Sequence, residues 1–177
     1  MADEESRLAV LLRGGDPRSL GPTPEVVQAV LADRNRVAEL VDCLRDEDPI
    51  VRMRGADALE KVAKEQPGWL APFLDALLDE LADTEQPSLQ WHLAQIVEEV
   101  PLAAAQRGRA VLLLRRWLEE SGDWIVLTCV MRSLTTLAAD DPVLRDWLAP
   151  RLQARTADPR PAVAKRATRQ LARLDVP

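Results

Sequence analysis

Four stretches of this chain carry one apolar frame at a nearly constant spacing, and that spacing decides the fold. The first position of the frame is Val51, Leu89, Val126 and Val163, in steps of 38, 37 and 37 residues. A second position, eight residues on, is Leu59, Val97, Leu134 and Leu171, and a third is Val62, Val100, Leu137 and Leu174. Three positions keeping one period over four copies are hard to obtain by chance. A period in the high thirties belongs to stacked helical units, none of which can bury its apolar face without a neighbour.

The spacing inside a copy is helical. Val51, Gly55, Leu59 and Val62 fall at i, i+4, i+8 and i+11, one stripe of a 3.6-residue helix. Pro49, Pro87 and Pro161 open that helix in three copies, where a missing amide hydrogen costs nothing and φ is already helical. The third copy has Trp124 there, behind an Asp123 suited to capping the helix. Each unit also has a first helix with its own stripe: Val37, Leu40, Val41 and Leu44, then Leu74, Leu77, Leu78 and Leu81. Val111, Leu114, Trp117 and Leu118 follow, then Leu144, Trp147, Leu148 and Leu152. The helix pairs span about 34–66, 67–100, 101–139 and 140–175. Two shorter stretches, 3–13 and 24–32, joined by a Gly- and Pro-rich loop, form an N-terminal helical cap within residues 1–33. The chain lacks Tyr and holds one Phe and 7 Gly, which argues against the aromatic strands and glycine turns of a β fold. The expected architecture is all-α: a right-handed α-solenoid of about four helix pairs over 34–177 behind the cap, as one continuous domain.

Leu40-x3-Leu44, followed by Asp46-x-Asp48-Pro-x-Val51-Arg52-x3-Ala56-x-Ala58-Leu59, resembles the HEAT-repeat consensus, including HEAT-like repeats of the bacterial lyase type. The first unit matches best. Later units keep the apolar frame but replace the Arg after the Val by Gln90, Leu127 and Ala164. The resemblance covers roughly residues 34–175 and implies that the second helix of each pair lines the concave side. It is nearly silent on activity, because such arrays serve as adaptors, inhibitors, lyase subunits and DNA-repair glycosylases.

A search for chemistry finds little. His92 is the one His, and no His/Cys/Asp cluster has metal-ligand spacing. There is no G-x-S-x-G turn, P-loop or dinucleotide fingerprint. No catalytic residue, cofactor or metal is therefore expected. Cys129 falls one repeat step from His92, which allows a Cys–His nucleophile pair on neighbouring second helices, but a half-buried thiol in an inter-helix seam is the simpler reading. The carboxylates are plentiful and no pair stands out for acid–base work. Cys43 and Cys129 are too few for a disulfide framework and are expected reduced. No apolar run approaches the roughly 18 residues of a membrane span, and the N-terminus is acidic where a signal peptide is basic. The expected compartment is the cytoplasm, with no membrane association.

Charge is unevenly placed. From Glu65 to Gln106 there is no Lys or Arg among eight carboxylates, whereas Arg151 to Arg173 holds seven basic residues against Asp158. An acidic middle interrupts the basic track that nucleic acid needs, so a nucleic-acid partner is not expected. On the second helices, the arc opposite the stripe carries three ladders. One is Met53, Trp91, Thr128 and Lys165, and the next is Asp57, Gln95, Arg132 and Arg169. A third ladder reads Glu60, Glu98, Thr135 and Ala172. An indole on that arc is costly to leave uncovered, which makes Trp91 the leading candidate for partner contact. Met53, Asp57, Trp91, Gln95, Arg132, Lys165 and Arg169 are the candidate contacts, and the expected function is a non-enzymatic scaffold for a protein or peptide ligand. The alternative is a HEAT-like enzyme or enzyme subunit, similar to a DNA alkyl-base glycosylase or a chromophore lyase. Trp91 and Asp57 could imitate the aromatic and carboxylate over a flipped base, but the second helix pair, 67–100, is free of Lys and Arg and contradicts the basic track.

Overall fold

The computed structural model describes residues 7–16 and 19–174, and the regular structure among them is entirely helical. The chain divides into two compact units, Met1–Leu102 and Ala103–Pro177. The first unit begins with α1 (Arg7–Leu12) and α2 (Thr23–Ala32), the expected cap, of which residues 3–6 lie outside the described residues. Next come α3 (Arg36–Asp42), prolonged by a 3₁₀ turn at Cys43–Arg45, and α4 (Pro49–Glu65). A 3₁₀ segment, Pro67–Phe73, then leads to α5 (Leu74–Glu80) and α6 (Pro87–Glu99). Pro72, inside that segment, helps to explain it, since it removes a donor that an α-helix would need there. The second unit holds α7 (Ala104–Glu120), α8 (Trp124–Leu137), α9 (Pro142–Arg155) and α10 (Pro161–Leu174).

The repeating frame is the core. Val51, Leu89, Val126 and Val163 are all buried, as are Leu59, Val97, Leu134, Val62, Val100 and Leu174. Leu137 and Leu171 are half-buried. Aspartates cap two of the second helices, α4 and α8, the latter at the Asp123 expected from the sequence. Asp48 accepts from the Ile50 amide at 2.8 Å, and Asp123 accepts from Ile125 and Val126 at 2.8 and 3.0 Å.

In the first unit α4 is the central element, packed against α1, α2, α3 and α6. Gly55 lets it close on the 3₁₀ turn, since a Cβ there would stand 3.0 Å from Cys43 Cβ. Arg54, on the same turn of helix, is buried and fastens the cap. Its guanidinium donates to the carbonyls of Leu12 (2.7 Å), Gly14 (2.6 Å), Asp16 (2.9 Å) and Ser19 (3.2 Å). The loop wraps so closely that Gly21, at φ +52°, would place a Cβ 2.8 Å from Arg54 Cζ.

The consensus Arg52 joins successive repeats. Its Nε donates to Gln86 Oε1 at 2.8 Å, and Gln86 Nε2 donates back to the Pro49 carbonyl at 2.9 Å. Later copies lost that Arg, and other arginines bridge the repeats of the second unit. Arg160 donates to the Gly122 carbonyl at 2.7 Å and Arg155 to that of Leu118 at 2.5 Å.

Candidate functional site

Each unit gathers a set of polar side chains on its second helices. In the first unit, Asp57 and Glu60 lie three residues apart on α4 and meet His92 of α6. All three are buried, with relative exposures of 8%, 5% and 7%. One ligand atom from each lies within 4.8 Å of the others. His92 Nε2 stands 3.9 Å from Asp57 Oδ1. The lysines one turn further along α4 serve the carboxylates from the rim: Lys61 pairs with Asp57, and Lys64 Nζ lies 2.5 Å from Glu60 Oε1. Burial pushes the His92 imidazole down to about 4, outweighing the attraction of Asp57 and Glu60 for its charged form. The ring is therefore neutral at ordinary pH and keeps a nitrogen lone pair. The Gln95 side-chain amide lies 3.4 Å from His92 Nδ1, and the Trp91 ring centroid lies 5.7 Å from that of His92.

The predicted contacts of this unit are thus unequally displayed. Trp91, Gln95 and Met53 are half-buried, whereas Asp57 is covered and ion-paired. The arc carrying Asp57 and Glu60 was expected to face outward because the stripe centre lies between Val51 and Leu59. It is covered because α4 has neighbours on several sides, α6 among them. Sequence reasoning missed the three-residue cluster: 35 residues separate Asp57 from His92, and only the α4–α6 register joins them. The available signal was helical spacing, which sets Asp57 beside Glu60 on α4 and Gln95 beside His92 on α6.

In the second unit, α8 and α10 pack together and leave a cleft of about 260 Å³ lined by Trp124, Thr128, Ala162, Lys165, Arg166 and Arg169. Trp124 is 49% exposed, an unusual state for an indole. Lys165 and Arg169 are exposed one turn apart on α10. Among the described residues, Lys165, Arg166 and Arg169 make no ion pair. Several cations elsewhere in the unit are engaged: Arg107 with Asp141 (3.0 Å), Arg151 with Glu119 (2.9 Å) and Arg160 with Asp158 (2.8 Å). Thr128 Oγ1 donates to the Ile125 carbonyl at 2.9 Å and can still accept. The cleft therefore presents an apolar wall and three cationic donors.

Of the predicted contacts in this unit, Lys165 and Arg169 line the cleft, while Arg132 is half-buried one turn beyond Thr128 on α8. Trp124 was assigned only to the start of its helix. Its place four residues before Thr128, on the same helical face, was the signal for its part in the cleft.

Residues 19–113 match the HEAT repeat domain family, from the cap loop into α7. No curated protein and no solved structure among those compared matches the chain.

Proposed function

This chain belongs to the HEAT repeat domain family, and from that premise we propose that it is a non-enzymatic scaffold binding an acidic protein segment in the α8–α10 cleft. HEAT repeat domains are helical-repeat scaffolds that commonly mediate protein interactions. The observation that carries the proposal is the set Lys165, Arg166 and Arg169, cations that make no ion pair among the described residues, beside a half-exposed Trp124. A segment with an aliphatic or aromatic anchor would cover the indole, and carboxylates next to that anchor would meet the three cations. Arg132 extends the contact along α8. Met53, Trp91 and Gln95 are further contact residues on the second helices of the first unit, and Asp57 is not displayed for this purpose. Among the described residues no helix is long and apolar enough to cross a membrane, and neither cysteine is in a disulfide. Both facts are consistent with the proposed cytoplasmic setting.

Selection of binders from a displayed random-peptide library tests the reading. The proposal expects enriched peptides to combine an apolar anchor with Asp or Glu, and Trp124→Ala to abolish the enrichment. Peptides without acidic residues, or stronger retention of a DNA duplex than of any peptide, would contradict it.

A further inference from the structure

We propose that Asp57, Glu60 and His92 form a binding site for a first-row divalent metal ion such as zinc. The three residues come from two helices, bring one ligand atom each within 4.8 Å of the others and are buried, with whole-residue exposures of 8%, 5% and 7%. One imidazole nitrogen and two carboxylates are a mixed N/O donor set that suits zinc and its neighbours, and the imidazole disfavours magnesium and calcium. Two carboxylates neutralise a dication, so the filled site carries no buried net charge.

Two details point to a ligand rather than to a closed internal ion network. First, His92 Nε2 faces Asp57 Oδ1 at 3.9 Å, too far for a hydrogen bond and close enough for both to share a cation. Second, Glu60 Oε1 is buried without a hydrogen bond, and what compensates it is the charge of the Lys64 ammonium at 2.5 Å, a place that a dication can take. Lys61 and Lys64 hold the two negative charges meanwhile. Their side chains are 39% and 47% exposed, so both ammonium groups can swing into water when a dication takes their place. Gln95 completes the arrangement. A half-turn of its amide presents Oε1 to a His92 Nδ1–H, which fixes the tautomer with Nε2 free for the metal.

Zinc alone is the probe, titrated calorimetrically into the full chain after chelator treatment. One equivalent should bind, and saturating zinc should raise the melting temperature by roughly 5 °C or more. His92→Gln and Glu60→Gln, each checked for an unchanged helical spectrum, should weaken binding by about 100-fold or more, and Gln95→Leu by about 10-fold. The spectrum of bound cobalt should show a nitrogen/oxygen set without thiolate charge transfer. Absence of zinc binding at about 100-fold excess over protein overturns the proposal. Parental affinity in both His92→Gln and Glu60→Gln overturns it too, because the ion would then sit on surface carboxylates or on Cys129. If one of these two variants fails to fold, the other and the cobalt spectrum of the parent still decide.

Discussion

Replacing Arg54 by Met tests how the N-terminal cap is held to the repeats. The substitution keeps an unbranched apolar stem and removes four hydrogen bonds to the carbonyls of Leu12, Gly14, Asp16 and Ser19. A hydrogen bond to a charged group contributes about 1.5–3 kcal/mol net. The full sum does not apply. The bond to Leu12 is buried, but those to Gly14, Asp16 and Ser19 are only partly so, and water can replace the guanidinium there. The expected loss is about 3–5 kcal/mol, a large part of an ordinary domain's stability. It should be local. Amides of α1 should exchange hydrogen far faster than in the parent, while those of α4 stay protected. Arg54→Lys should recover less than half, since one ammonium cannot reproduce the guanidinium fork. Gly21→Ala should open the same segment from the other side, through a strained φ of +52° and the 2.8 Å approach to Arg54. Chemical denaturation and α1 exchange in Arg54→Met that both overlay the parent would refute the reasoning.

Leu59→Ala and Leu134→Ala should each cost about 2–5 kcal/mol, because both side chains are completely buried at equivalent positions of the frame. Denaturation curves matching the parent would show the repeat register to be wrong. Asp123→Ala should cost about 1 kcal/mol by freeing the Ile125 and Val126 amides, measurable as a lower urea midpoint. Without any reductant, Cys129 should react with a thiol reagent in the folded protein, and Cys43 only on unfolding, because Cys129 is partly exposed and Cys43 is buried. Equal rates for the two would contradict their assigned burial.

The fold was legible because burial and periodicity report the same thing: a position that recurs every 37 or 38 residues and is apolar each time must face the core. The prolines at helix starts and the capping role of Asp123 were legible for local reasons. What the chain pattern did not reveal depends on neighbours distant in sequence. Arg54 reads as one more charged residue until the loop carbonyls from Leu12 to Ser19 close around it. Asp57 and Glu60 lie on a solvent arc by helical arithmetic, and the arithmetic fails because α4 is surrounded rather than one-sided. For the candidate cleft, Lys165 and Arg169 could be placed from the ladder alone. Helical spacing puts Trp124 on the face of Thr128, but that this face opens into a cleft depends on α10, which is distant in sequence.

In the proposed function, three cations that make no ion pair among the described residues hold an acidic segment beside an exposed indole. Isothermal titration of a peptide selected on the parent, compared with Lys165→Glu plus Arg169→Glu, tests it most directly. Both substituted residues are exposed and outside the core, so the variant should keep the parent's denaturation curve. The double reversal should weaken binding by about 2 kcal/mol or more, with the difference shrinking as salt rises. Equal affinities for parent and variant across the salt range would contradict it.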